Sequence, residues 1–246
     1  TNGGQNNTFI DSSTNNFTIT RNGNTTQGSF SPYGNLWSNG ITGATDYFLT
    51  PATSALEFGS NNFTIEVWYF PTTTDRRAIY HGSWGTDWSV GIDYSSNGSN
   101  KCIGLWASSN GTGWNLINSD GGGNGIGTIP LTQNAWNHIV FQRNGTTWSS
   151  YINGVLDKNL TGISGAIVNR SGSQKAIGQW FNNSMGAPLG YLSNLRILNG
   201  TALYSGSIIT VPTTPLTAIT NTSLLTCQSN RFIDNSSNNF ALTVSG

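Results

Sequence analysis

The stretch that most constrains this chain runs over 136–154, WNHIVFQRNGTTWSSYING, and reads as two long strands joined by a tight turn. The turn is expected at Asn144-Gly145, because both residue types tolerate the positive φ that a type I′ hairpin turn requires. A second turn is expected at Asn153-Gly154. Alternation sets the faces: Trp136 and Val140 fall on one side of the first strand, Ile139 and Phe141 on the other. A strand apolar on both faces has to be covered on both. The second strand carries Trp148 and Ile152 on one face and Tyr151 on the other, enough aromatic surface to anchor a sheet.

The same reading extends along the chain. Segment 63–70, FTIEVWYF, is another strand with two largely apolar faces, ended by Pro71, which lacks the ladder donor. Shorter strands are expected at 46–49, 56–58, 78–80, 89–94, 102–107, 114–118, 175–179, 190–198 and 224–227. Residues 21–40 read as a packed loop, and DGGGNG at 120–125 as the most flexible turn. Asn and Thr are each about as frequent as the 31 Gly, while only 8% of residues are charged and strong helix formers are sparse. The chain is therefore expected to be all-β, and its 246 residues suit a single sandwich domain over 1–246.

One long-range repeat stands out. FIDSSTNNF at 9–17 returns as FIDNSSNNF at 232–240. Two explanations are compatible: the end of the chain opens a next tandem unit, or the two copies pair as the first and last strands of one sandwich.

The hairpin pattern Trp136-x-His138-Ile139-Val140-Phe141-x-Arg143-x-Gly145, followed by Tyr151-Ile152-Asn153-Gly154, resembles the signature hairpin of laminin G-like domains in the concanavalin A-like lectin and glucanase superfamily. GYLSNLRIL at 190–198 resembles a strand of the same domains. The resemblance implies a two-sheet antiparallel jelly-roll sandwich, a fold shared by lectins, glycosidases and structural modules, so it does not by itself give a function. The wording of FIDSSTNNFTITRNG, GYLSNLRILNGTALYSG and TSLLTCQSNRFIDNSSNNF is similar to laminin G-like units in virion proteins of marine bacteriophages, often in tandem. That resemblance implies a virion surface or tail fibre, an extracellular location, and other virion or fibre subunits, including copies of itself, as partners.

Charge and cysteine usage remove several classes. Ten basic residues balance ten acidic ones, which leaves no footprint for nucleic acid or an anionic membrane. No apolar run approaches the roughly 20 residues of a spanning helix, so a soluble protein is expected. Thr1 in place of Met is what a processed or excised piece would show. Cys102 and Cys227 lie in apolar stretches and are expected as buried small hydrophobes; a pairing between them is the alternative.

Catalysis lacks its reagents. Retaining glycosidases need two carboxylates about 5 to 5.5 Å apart, and the only glutamates, Glu57 and Glu66, stand nine apart with no Asp between them. Glu66, beside Val67 and Trp68, is expected in a buried hydrogen-bond network and His138 as a satisfied core histidine. His81 has no metal ligand at suitable spacing. Asp87 and Asp120 could join carbonyls around calcium, as some laminin G-like domains do, but no loop is densely acidic and no cofactor is otherwise expected. No enzyme is expected.

Tryptophan is the informative surplus. Of nine, Trp84, Trp88, Trp106, Trp114 and Trp180 stand where Gly, Asn or Ser suggests loops. An uncharged glycan site combines an aromatic platform with a few fixed polar partners, here Asp87, Asn110, Asn182 and Asn183. The competing reading is that these indoles plug the sandwich edges or pack against a neighbouring subunit. The expectation is a host-surface carbohydrate as ligand, with a purely structural decoration or cementing role as the alternative.

Overall fold

A computed structural model of the protein describes residues 30–34, 36–41, 46–73, 77–83, 88–97, 100–180 and 189–245. The alternating segments form strands: β1 (Asn39–Ile41), β2 (Tyr47–Leu49), β3 (Phe63–Pro71), β4 (Arg77–His81), β5 (Val90–Asn97), β6 (Asn100–Ala107), β7 (Asn137–Asn144), β8 (Thr147–Ile152), β9 (Val155–Leu160), β10 (Ala176–Ile177), β11 (Gly190–Asn199), β12 (Thr222–Thr226) and β13 (Thr243–Ser245). They make two antiparallel sheets. One has the order β1-β11-β3-β7-β8-β9, with β12 also pairing β11; the other runs β13-β2-β10-β4-β5-β6. The architecture is the two-sheet jelly-roll sandwich expected from the sequence.

Period 2 explains the core. Phe63, Ile65, Val67 and Tyr69 of β3 and Ile139 and Phe141 of β7 point inward, opposite Val90, Ile92, Ile103 and Leu105 of the second sheet. Phe63 stacks on Phe58 with centroids 4.4 Å apart and meets Phe141 and Trp148 edge-on at 5.4 and 5.5 Å. Burial of each such side chain contributes about 1.5 to 3 kcal/mol. The alternate residues face outward, Glu66 of β3 and His138 of β7 among them.

The turns differ from expectation in an instructive way. Asn144 pairs with Thr147, so the hairpin turn is Gly145-Thr146, with a positive φ of 60° at Gly145 only, the pattern of type II′ rather than type I′. Ile152 pairs with Val155 around Asn153-Gly154, where φ is 49° and 86°; this is the I′ pattern. Residues 56–58 are not a strand. A 3-10 turn occupies Ser54–Leu56, because the Thr53 side chain accepts from the Ala55 N–H and fixes the turn's start. Residues 114–118 make one bridge, Ile117 to Ala107, because Asn115 bonds back to Ser108 and Ser109 and holds the segment as a loop. Within the expected loop 21–40, residues 39 and 40 begin β1, whose Asn39 and Ile41 are buried. The lower part of that loop lies outside the described residues.

The second repeat copy is built into this sandwich. Phe232 packs on Phe48 at 5.1 Å, and β13 pairs in register with β2. The copy at 9–17 lies outside the described residues. Cys102 and Cys227 are both buried and free, as expected of small hydrophobes.

Candidate functional site

The outer face of the seven-stranded sheet is covered in part. Residues 201–209 lie across it as a strap. Gln142 clamps the strap with both ends of its amide, donating to the Tyr204 carbonyl at 2.7 Å and accepting from its N–H at 3.0 Å. Tyr151 donates to the Gly206 carbonyl at 3.0 Å. Beneath the strap Glu66 is 0% exposed. Its carboxylate accepts from Arg196 Nε at 2.7 Å and from the Tyr204 hydroxyl at 2.7 Å, with His138 Nε2 at 3.4 Å. Arg196 stands directly opposite Glu66 in the β3–β11 register, which is why the pair meets. Burial pushes the Glu66 carboxyl up, but His138, Arg196 and Tyr204 outweigh it and hold the group below the ordinary carboxylate range. Glu66 therefore sits in the buried network expected for it, as a fixed anion that pins a strap to a sheet. His138 departs from expectation in one respect: its Nδ1 is buried with no hydrogen-bond partner among the described residues. Glu57 is engaged elsewhere, paired with the buried Lys175.

The tryptophans gather on the opposite side of the molecule. Leu105 and Ala107 face the core, so Trp106 between them projects from the outer face of the six-stranded sheet. Trp180 lies beside it with centroids 5.6 Å apart, and Trp114 touches both, at 5.3 Å from Trp106 and 5.6 Å from Trp180. Trp88 closes the group against Trp114 at 4.6 Å and an interplanar angle of 77°. Gly91 makes room: a Cβ there would stand 3.1 Å from Trp180 Cζ3 and 3.3 Å from His81 Cδ2. The His81 ring in turn lies 4.6 Å from that of Trp180.

Four of the five loop tryptophans of the sequence thus meet in one cluster, but they are not equivalent. Trp106 and Trp180 are 0% and 2% exposed and form a floor. Trp88 and Trp114 are half-buried and form the accessible edge. The placing of Trp106 in a loop is corrected: it is interior to β6, and its burial rules it out as a contact surface, as burial does for Trp180. Asn110 is exposed in the loop between Trp106 and Trp114; its side-chain oxygen accepts from the Ser108 hydroxyl and the Thr112 N–H, both at 3.0 Å, which shapes the loop. Trp84, Asp87, Asn182 and Asn183 lie outside the described residues.

The platform is braced from beneath by residues that no sequence pattern announced. Lys175 is fully buried and pairs with Glu57, while donating to the Arg170 carbonyl at 2.8 Å and the Ser173 carbonyl at 2.9 Å. Arg170 N–H donates to the other Glu57 oxygen at 2.7 Å, and the Arg170 guanidinium reaches the Gly111 carbonyl at 3.4 Å. Ser83 links to Ser173 at 3.1 Å. Loops at 83, 111 and 170–175 are thereby tied together around the indoles. A lone Lys in SGSQKAIG gave no hint, since its partner is 118 positions away.

His81 adds a pH dependence. Burial lowers its pKa from the ordinary 6.5 to about 4; the Ser83 carbonyl raises it and the Lys175 charge lowers it by smaller amounts. Between these two values the unfolded chain takes the proton and the folded chain does not. Its contribution is thus complete above about pH 6.5 and lost as pH falls toward about 4, a change on the order of 3 kcal/mol. Urea midpoints measured from pH 7.5 to 4.5 should fall in the native protein, and His81→Phe should remove that part of the slope.

Among the described residues no three His, Cys, Asp or Glu side chains converge to hold a metal. Of the two aspartates considered for calcium, Asp120 is exposed in a 3-10 turn over Asp120–Gly122, and Asp87 lies outside the described residues. Among the described residues no helix is long and apolar enough to cross a membrane.

The family model of the concanavalin A-like lectin/glucanases superfamily, of laminin G type, matches residues 42–208. No curated protein matches the sequence. Among solved structures, a candidate carbohydrate binding protein from Bacteroides ovatus is 14% identical with a TM-score of 0.53, over 84% of this chain and 60% of its own. This chain thus spans under two thirds of that protein, and the likeness is one of fold. Looser matches are domain 4 of an extracellular arabinanase from Geobacillus stearothermophilus in complex with arabinotriose (20% identity, TM-score 0.40, 58% of this chain and 62% of that one). Tailspike protein 2 of an Escherichia coli O157:H7 bacteriophage is looser still in coverage of its own length (13% identity, TM-score 0.42, 66% and 26%). Neither is similar enough to bear on the site.

Proposed function

Because the chain belongs to the laminin G family of the concanavalin A-like lectin/glucanases superfamily, we propose that it is a non-enzymatic binding module that holds a host-surface carbohydrate at Trp88 and Trp114, on a virion or fibre exposed to the outside. The observation that carries this reading is the pair of half-buried indoles, 4.6 Å apart at 77°, resting on the buried floor of Trp106 and Trp180. Sugar rings present apolar C–H faces, and two indoles at a steep angle form a corner that takes one such face with little ordering cost, because the rings are already fixed. The exposed Asn110 supplies amide donors for hydroxyl groups. A single shallow corner binds weakly, and many copies on one particle multiply its strength through effective concentration.

A glycan array with the intact chain tests this. Trp88→Ala and Trp114→Ala should each weaken the signal about tenfold or more, equivalent to about 1.4 kcal/mol per tenfold, while circular dichroism stays native. Reducing-end assays on the same glycans should stay flat. An array signal indifferent to both substitutions would end the reading. The rival role, protein contact within a particle, finds its support on the strap side, where Ile208 and Val155 are 68% and 44% exposed next to each other. That role expects Ile208→Asp to abolish particle incorporation and leave the array unchanged.

A further inference from the structure

Beside strap residues 204–206 a groove of about 250 Å³ lies over the outward side chains of β7, β8 and β9. Register sets its floor. Gln142, Ser149 and Asn159 stand opposite one another across the three strands, and two residues further along β7 Asn144 stands opposite Thr147. Period 2 aims all five at the same outer face. Gln142 and Ser149 are buried, Thr147 is half-buried, and Asn144 and Asn159 are exposed, so the floor opens toward β9 and the β7–β8 turn.

The wall is apolar. Tyr204 and Leu156, both half-buried, rest on buried Val140 and Tyr151. Tyr204 is held at both ends: Gln142 binds its backbone N–H and carbonyl, and its hydroxyl donates to Glu66, which Arg196 holds in turn. The desolvation of a buried ion pair offsets much of its attraction, so the Glu66–Arg196 pair adds little to stability for its size. What it does here is fix one aromatic ring at the side of an open groove, and a ring already fixed binds with less ordering cost.

The lining narrows the occupant. None of the lining side chains is charged, so a phosphate backbone or a charged peptide finds no counter-ion among them. The side chains of Thr147, Asn159 and Ser205 make no hydrogen bond among the described residues, and each can both donate and accept. Such groups beside an immobilised aromatic ring match the mixed hydroxyl and C–H surface of a sugar. The volume is below the roughly 300 to 1,000 Å³ of pockets that enclose a drug-sized ligand, so the groove takes one sugar unit and leaves the rest of a chain in solvent.

We propose that this groove is a second carbohydrate site, for an uncharged sugar unit, with Tyr204 as its platform and Thr147, Asn159 and Ser205 as its hydrogen-bonding contacts. It lies on the other sheet from Trp88 and Trp114, so a short oligosaccharide does not span both, and one domain joins two glycan chains.

Arrays of neutral and acidic oligosaccharides, probed with the full chain, test the proposal. Trp88→Ala/Trp114→Ala should still bind a set of neutral glycans, and adding Thr147→Val and Asn159→Ala to that background should weaken this binding about tenfold or more. Tm should not move on that addition, because neither side chain bonds within the protein. Added salt should leave the binding unchanged, since no charge takes part. A silent Trp88→Ala/Trp114→Ala chain, binding to acidic glycans alone, or binding indifferent to Thr147→Val/Asn159→Ala would overturn the proposal. The tryptophan corner is judged separately: signals that survive the loss of both tryptophans and vanish with Thr147 and Asn159 would remove the corner and keep the groove.

Discussion

Replacing Glu66 by leucine should cost about 3 to 5 kcal/mol, and replacing Arg196 along with it should cost less than Glu66→Leu alone. The reason is the state each variant leaves behind. Glu66→Leu strands the Arg196 guanidinium, 6% exposed as a residue, with the Thr217 carbonyl at 2.8 Å as its remaining partner. The Tyr204 hydroxyl also loses its acceptor, and with it one fastening of the strap. In the double variant Glu66→Leu/Arg196→Leu neither charge of the pair remains, and what persists are unmet polar groups, the Tyr204 hydroxyl, His138 Nε2 and the Thr217 carbonyl, in place of a stranded charge. Urea denaturation of the two single variants and the double gives the coupling directly. A double-variant loss equal to the sum of the singles would show that the carboxylate and guanidinium do not act as a pair.

The second large effect falls on the tryptophan floor. Trp106→Ala removes a wholly buried indole that touches Trp114 and Trp180, and a cavity of that kind costs about 3 to 5 kcal/mol. In a domain of this size that is a fall in Tm of roughly 10 °C. Trp88→Ala, at the half-buried edge, should cost about 1 kcal/mol or less. The two substitutions are expected to part company in a second measurement as well. Trp88→Ala should lose glycan binding with stability kept, whereas Trp106→Ala should lose both, since Trp114 no longer has its support. Equal thermal shifts for the two would mean that floor and edge are not distinct.

Much of this was legible beforehand. FTIEVWYF and the segment after Trp136 declared strands with two covered faces, and both are central in the seven-stranded sheet. Glu66, beside Val67 and Trp68, declared a buried network. What could not be read was the partner, because Arg196 lies 130 positions away and meets Glu66 only through the β3–β11 register, which shifts between Ser193 and Arg196. Lys175 and Glu57 were hidden for the same reason. The grouping of Trp88, Trp106, Trp114 and Trp180 was suggested by their loop-like neighbours, but their division into floor and edge was not.

The sequence by itself determined the elements: side-chain alternation and the few residues able to take positive φ are local properties, acting over two to four positions, and they set strands and turns wherever they fall. The tertiary structure alone decided which outward side chains are covered. That depends on strand order, on register shifts and on where the 201–209 strap and the 170–175 loop come to rest, and these are settled by contacts between residues far apart in the chain. Hence the same outward position holds a sealed ion pair at Glu66 on one sheet, and on the other, at Trp106, the base of an open aromatic corner.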